Sequence, residues 1–271
     1  MKLETIIVNQ NQSIQKILEK LDPTSTTKIK IFLEKGVYFE KITVKIPHVI
    51  FEGESKEETV IVFDDANGTE SPEGGKYGTF RSATFSVLEE AHGFQAKNIT
   101  FKNSFDYQNS NWKENRQAVA VRCEAEDSFF ENCNFIGNQD TLLCNKGKQK
   151  YKNCHIEGHI DFIFGGAEAL FERCIIFSKN RENLKKENGY VCAPSTLKEK
   201  NEGFLFRFCH FQGDAPKGSV YLARPWHPGK NPGHSPMAKF INCKLGTHIN
   251  KELWTSMSGF SAKNARFFII N

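Results

Sequence analysis

Asp140 and Asp161 stand 21 residues apart, in "GNQDTLL" and "GHIDFIFGGA", each set among glycine and apolar residues that would suit a strand. Two carboxyls brought together cannot easily carry two charges, so one keeps its proton while the other stays ionised. Such a pair supplies a proton donor and a nucleophile or base from one residue type. Gln139 precedes the first aspartate, and Gln117, in "RQAVAVR", lies 22 residues before Gln139. Carboxamides beside a reacting carboxylate can donate hydrogen bonds to a developing oxyanion, as acyl transfer requires. In "YLARPWHP", Arg224 offers a guanidinium able to grip a carboxylate at two points, and Trp226 a flat ring suited to a sugar. Taken singly, each has a bland reading: an Asp capping a turn, a surface Gln, a packed Arg-Pro-Trp loop. The interval shared by the two aspartates and the two glutamines is what makes those four a set.

That interval recurs. Five segments, "FFENCNF", "KYKNCHI", "LFERCII", "LFRFCHF" and "KFINCKL", place an aromatic three residues before a cysteine and an apolar residue two after it. Cys133, Cys154 and Cys174 are 21 and 20 residues apart, and the steps to Cys209 and Cys243 are 35 and 34, one coil plus an inserted loop. "GFQAKNITFKN" fits the same frame, with Ile99 in the cysteine position. Periods of this length mark a solenoid, and the Phe, Ile, Val and Tyr content favours strands. The cysteine and the residue two later share a face, whereas the aromatic three before has opposite parity, so the chain must bend between them. Asn98, Asn132, Asn153 and Asn242 precede the ladder position, and Asn tolerates the left-handed conformation of a sharp bend. The expectation is an all-β fold, a parallel β-helix of one domain (1–271), stacking Cys on Cys and Asn on Asn. On it Asp140 and Asp161 become neighbours about 4.8 Å apart. Ser13 followed by Ile14, Ile17, Leu18 and Leu21 predicts a short N-terminal capping helix. The cysteines read as buried thiols rather than disulfides; Cys123 and Cys144 repeat at the same step, and Cys192 fits no ladder. Four polar loops, at 64–78, 103–117, 178–189 and 224–236, would line a groove fit for an extended polymer.

The 271 residues carry 25% charged and 39% hydrophobic residues and a net charge of +4. No apolar run is long enough to span a membrane, no like-charge block or recognition motif points to nucleic acid, and no CxxC pair suggests structural zinc. The N-terminus, "MKLETIIVNQNQSIQKILEK", lacks a secretory leader, so the expected location is cytoplasmic as the sequence stands, or extracellular if a leader has been removed.

In order along the chain, "GVYFEKI", "TFRSATFSVLEEAHGFQAKNITFKN", "RQAVAVR", "GNQDTLL", "GHIDFIFGGA", "YLARPW" and "ELWTSMSGF" resemble the pectin methylesterases, carbohydrate esterase family 8. The resemblance covers most of the chain. It implies a right-handed parallel β-helix, hydrolysis of the C6 methyl ester of galacturonate residues in pectin or methylated oligogalacturonides, and no metal or organic cofactor. It implies Asp161 as the nucleophile that forms an anhydride, and Asp140 as the acid that protonates methanol and then the base that activates water. Gln117 and Gln139 would stabilise the oxyanion, Arg224 would hold Asp161 ionised, and Trp226 would line the cleft, with Phe80, Phe164 and Trp254 as further cleft residues. A member acting inside a cell would take short, imported oligogalacturonides, and a monomer is the default for a solenoid with covered ends.

Three departures from the family pattern stand out: Ala223 in place of glycine, Leu143 in place of a tyrosine usual in plant members, and a chain that stops at "ARFFIIN". The rival readings are weaker. A polygalacturonase-like hydrolase needs carboxyls about 6.5–9.5 Å apart with room for water, and its Asn-Thr-Asp and Gly-His-Gly signatures are missing. A calcium-dependent lyase needs an acidic cluster, and only Asp64 and Asp65 are adjacent in that way. A non-catalytic pectin-binding solenoid would have no need of the intact set.

Overall fold

A computed structural model describes residues 3–25 and 27–271. Their strands form three parallel sheets of ten, seven and eight strands, each advancing by one strand per coil. One coil runs Ser128–Glu131, Asn134–Ile136, Leu142–Cys144, and the next Lys148–Lys152, His155–Gly158, Ile160–Gly165. This is the expected parallel β-helix.

The repeat becomes three stacked columns. Phe130, Tyr151, Phe171, Phe206 and Phe240 pair in register across the ten-stranded sheet. Their rings stack at 4.6–5.0 Å with interplanar angles of 6–11°. Offset aromatic pairs contribute about 0.5–1.5 kcal/mol each beyond area burial, so this column holds neighbouring coils in register. The cysteines form the second column and are all free thiols. Cys154, Cys174, Cys209 and Cys243 each donate to the carbonyl of the ladder aromatic one coil earlier, at 3.3–3.5 Å. A small apolar side chain with a weak donor satisfies this slot, and burial pushes the Cys133 thiol up to about 12, far from ionisation. Cys192 has a place after all: it lies in the seven-stranded sheet, in register with Ile163 and Ala223, and donates to Leu222 O at 3.2 Å.

The third column is the bend. Asn98, Asn132, Asn153 and Asn242 all have φ between 50° and 56°. Arg173 and Phe208 occupy the same position with φ of 53° and 56°, so the geometry, not the asparagine, is what repeats. Only Asn132 to Asn98 makes a side-chain bond along it, at 2.7 Å, among the described residues.

The helix Ile14–Leu18 buries Ile14 and Leu18 and packs against Ile42–Val44, the edge strand of the seven-stranded sheet. Ser13 caps it, accepting from Lys16 N. Glu40 accepts from Ile14 N at 2.8 Å and Gln15 N at 3.2 Å, satisfying first-turn donors. Gln15 Oε1 in turn accepts from Thr43 N at 2.8 Å, so the helix covers a sheet edge that would otherwise invite pairing. At the other end Arg266–Ile270 completes the ten-stranded sheet.

Candidate active site

The seven-stranded sheet carries the site. Along Ile160–Gly165 the alternation of a strand is broken: register with Gly189–Pro194 shifts between Ile160 and Ile163. Two residues, Asp161 and Phe162, oppose one, which is a β-bulge. Asp161 sits there with φ 48°, and Asp140, one coil earlier, has φ 65°. Aspartate tolerates this region better than branched or bulky residues do. The bulge lets Phe162 and Ile163 both enter the core while Asp161 and Phe164 face a cleft. That is why a strand-like stretch has acids where packing alone would prefer apolar side chains.

The cleft, ≈ 240 Å³, is lined by Gln117, Gln139, Asp140, Asp161, Arg224 and Trp226, among others. Coil stacking brings these into one place from four separate stretches. Asp161 and Asp140 are 6% and 8% exposed. Arg224 donates Nε to Asp161 Oδ1 at 2.8 Å and Nη2 to Oδ2 at 2.5 Å, a two-point grip. Burial works against the Arg224 charge, and Asp161 more than offsets it, leaving the guanidinium above its ordinary value. Its other face lies 3.8 Å from the Tyr190 ring, which stacks on Tyr221. Burial, then the neighbouring Asp161 charge, raise the Asp140 carboxyl well above the usual carboxylate range, with Arg224 opposing. One aspartate is therefore gripped by a guanidinium, and its neighbour holds its proton more tightly than an ordinary carboxyl. Among the described residues neither Gln117 nor Gln139 uses its side-chain amide on a protein partner, so both have free donors beside the carboxyls.

The apolar floor is a small cluster of Ala83, Val119, Leu143, Phe164 and Ala193, with Phe80 and Trp226 packed on it. The Phe164 and Trp226 rings are 5.7 Å apart. Leu143 is fully buried in this floor. Ala223 is a buried strand residue without positive φ, so the methyl group meets no backbone strain.

Trp254 is placed elsewhere. It pairs with Ala223 by an isolated bridge and packs on Phe240 and Phe267 at 5.6 and 5.4 Å, covering the C-terminal end of the core. The expectation of a cleft role for it is corrected, because the turn after it sends Met257, not Trp254, to the cleft wall. Sequence reasoning missed Met257, Thr79 and Tyr190. Met257 lies within "ELWTSMSGF", where nothing ranks a methionine above a tryptophan; Tyr190 follows a long polar loop with no periodic cue. Asp65 forms an ion pair with Lys41 at 2.6 Å.

The pectinesterase family model matches residues 7–269. Pectinesterase 31 of Arabidopsis thaliana is 35% identical over 221 residues, covering 80% of this chain and 66% of that protein. Pectinesterase A of Dickeya chrysanthemi is 32% identical over 278 residues, covering 91% and 75%. The crystal structure of a pectin methylesterase in complex with a hexasaccharide superposes with a TM-score of 0.89 at 29% identity, covering 95% of this chain and 83% of that one.

Proposed function

The chain belongs to the pectinesterase family, and from that membership and the geometry of the cleft we propose that it hydrolyses methyl esters of galacturonate residues in pectin or methylated oligogalacturonides. The products are methanol and a free carboxylate. The observation that carries the reading is the difference between two neighbouring carboxyls: Asp161 is gripped at two points by Arg224, while burial and the nearby Asp161 raise the Asp140 carboxyl.

An Asp161 oxygen attacks the ester carbonyl carbon; each of its oxygens retains a lone pair beyond the one Arg224 engages. The carbonyl oxygen takes up negative charge, and the amide groups of Gln117 and Gln139 donate to it. As the C–O bond to methanol breaks, the Asp140 proton passes to the departing oxygen, leaving an acyl anhydride on Asp161. The Asp140 carboxylate so formed then removes a proton from water, which attacks the anhydride and returns both aspartates to their starting states. Phe80, Phe164 and Trp226 offer ring faces for the sugar and its methyl group.

Methanol release from highly methylated pectin, measured for the parent and for Asp161→Asn, tests the proposal. Release by the parent and none by the variant is expected. Reducing ends without methanol would replace the esterase with a glycoside hydrolase, and pectin affinity without turnover would leave a binding module.

A further inference from the structure

A second cavity, ≈ 600 Å³, opens beside the cleft where the eight-stranded sheet turns into the seven-stranded one. Arg116, Asn138 and His159 contribute to it, and each adjoins a cleft residue: Gln117, Gln139 and, two positions on, Asp161. The same three coils thus carry both. Lys179 and Arg181 add two more cations from the 178–189 loop, against one acid on the wall, Glu182.

The two arginines are held in place by neutral groups. Arg116 lies 4.0 Å over the Tyr107 ring and donates to Tyr107 O at 3.1 Å. Arg181 donates to Asn188 O and Glu187 O, both at 2.5 Å. Lys179 donates to Gly137 O at 3.1 Å and stands 3.7 Å from Glu157 Oε1. Among the described residues no carboxylate pairs with Arg116 or Arg181. On the cavity wall His159, only 3% exposed, meets the Tyr107 ring edge-on at 4.3 Å, and neither ring nitrogen has a hydrogen-bond partner. Burial, then Arg181, Lys179 and Arg116, lower its pKa to about 3, so the ring is neutral, with one donor and one acceptor. A buried polar group left unpaired is costly, as is a cluster of like charges. Both costs fall when an anion with hydroxyls enters.

We propose that this cavity binds a free carboxylate borne on a sugar, with Arg116, Arg181 and Lys179 taking the carboxylate and His159 with Tyr107 the hydroxyls and ring. Only the source of that sugar acid, a galacturonate de-esterified in the adjoining cleft, rests on the esterase reading. A methyl ester, being neutral, is excluded by the charge requirement. The site therefore favours partly de-esterified substrate over fully esterified substrate.

The test uses the full chain carrying Asp161→Asn, so that esters survive, and follows the His159 ring nitrogens by NMR alongside calorimetry. The probes are unesterified trigalacturonate, its trimethyl ester and inorganic phosphate. Trigalacturonate is expected to shift the His159 signals saturably, and Arg116→Gln with Arg181→Gln to weaken that binding at least tenfold. Lys179→Gln should weaken it less, with melting curves checking that each variant folds. A silent His159, equal binding of the trimethyl ester, or phosphate binding as tightly as the sugar acid would each overturn the proposal. Methanol release by the parent is scored separately, so the esterase reading can fail while His159 responds, and the reverse.

Discussion

Arg224 offers the sharpest test of the cleft, because its two replacements separate charge from geometry. Each of its bonds to Asp161, at 2.8 and 2.5 Å, is charge-assisted and contributes about 1.5–3 kcal/mol. Arg224→Lys keeps the charge and at best one bond. Losing the other corresponds to a fall in kcat of about 10- to 150-fold, at 1.36 kcal/mol per tenfold. Arg224→Met removes both bonds and leaves a buried carboxylate unpaired, which costs about 3–5 kcal/mol. The protein relieves that cost by turning Asp161 out of line, so the competent fraction drops by about 150- to 5,000-fold. Initial-rate methanol release on highly methylated pectin, with kcat and KM resolved, reads both numbers, and denaturant unfolding confirms that each variant is folded. The loss belongs in kcat, since the guanidinium grips the nucleophile. Arg224→Met within tenfold of the parent, or a loss confined to KM, would refute the assignment.

Asp140→Asn is expected to lower kcat by about 10²–10⁴-fold and yet raise stability at neutral pH. The parent's folded carboxyl titrates well above 3.8, so its contribution to stability is fully present below the unfolded value and is lost as pH rises through the folded one. The gap in unfolding midpoint between variant and parent should open above about pH 4; an Asn variant less stable at pH 7 contradicts this. In the parent, activity should fall on the alkaline side as Asp140 loses its proton, and a pH profile flat there counts against it as the acid. Tyr190→Phe keeps the ring under Arg224 and should preserve activity, whereas Tyr190→Leu forfeits a cation–π contact of about 0.5–2 kcal/mol and roughly 2- to 30-fold in kcat; equal effects would deny the ring a positioning role. Phe208, 43% exposed at φ 56°, bears a left-handed cost of about 1–2 kcal/mol. Phe208→Asn should therefore gain about 0.5–1 kcal/mol, and a lower denaturation midpoint would show that its contacts outweigh the strain.

Much of the solenoid was legible because each of its columns is a local pattern repeated. An aromatic, a bend residue and a small thiol at fixed spacing announce a coil, and the 20- to 21-residue step announces stacking. The pairing of Asp140 with Asp161, and the nearness of Gln117 and Gln139, followed from arithmetic on that step. Arg224 and Trp226 lie beyond two inserted loops, where the step no longer predicts register, and resemblance alone placed them. Trp254 shows the limit: an aromatic near the cleft and an aromatic capping the core end look alike in one dimension.

The periodic part can be read from residue order: coil length, ladder residues, and which acids fall on neighbouring rungs. Only the folded chain decided the rest. The bulge that turns Asp161 outward while Phe162 and Ile163 go in, the two-point grip of Arg224, the orphaned His159 and the cations around it arise from contacts between coils. Such contacts join residues with no fixed separation in the chain, and so leave no period to read.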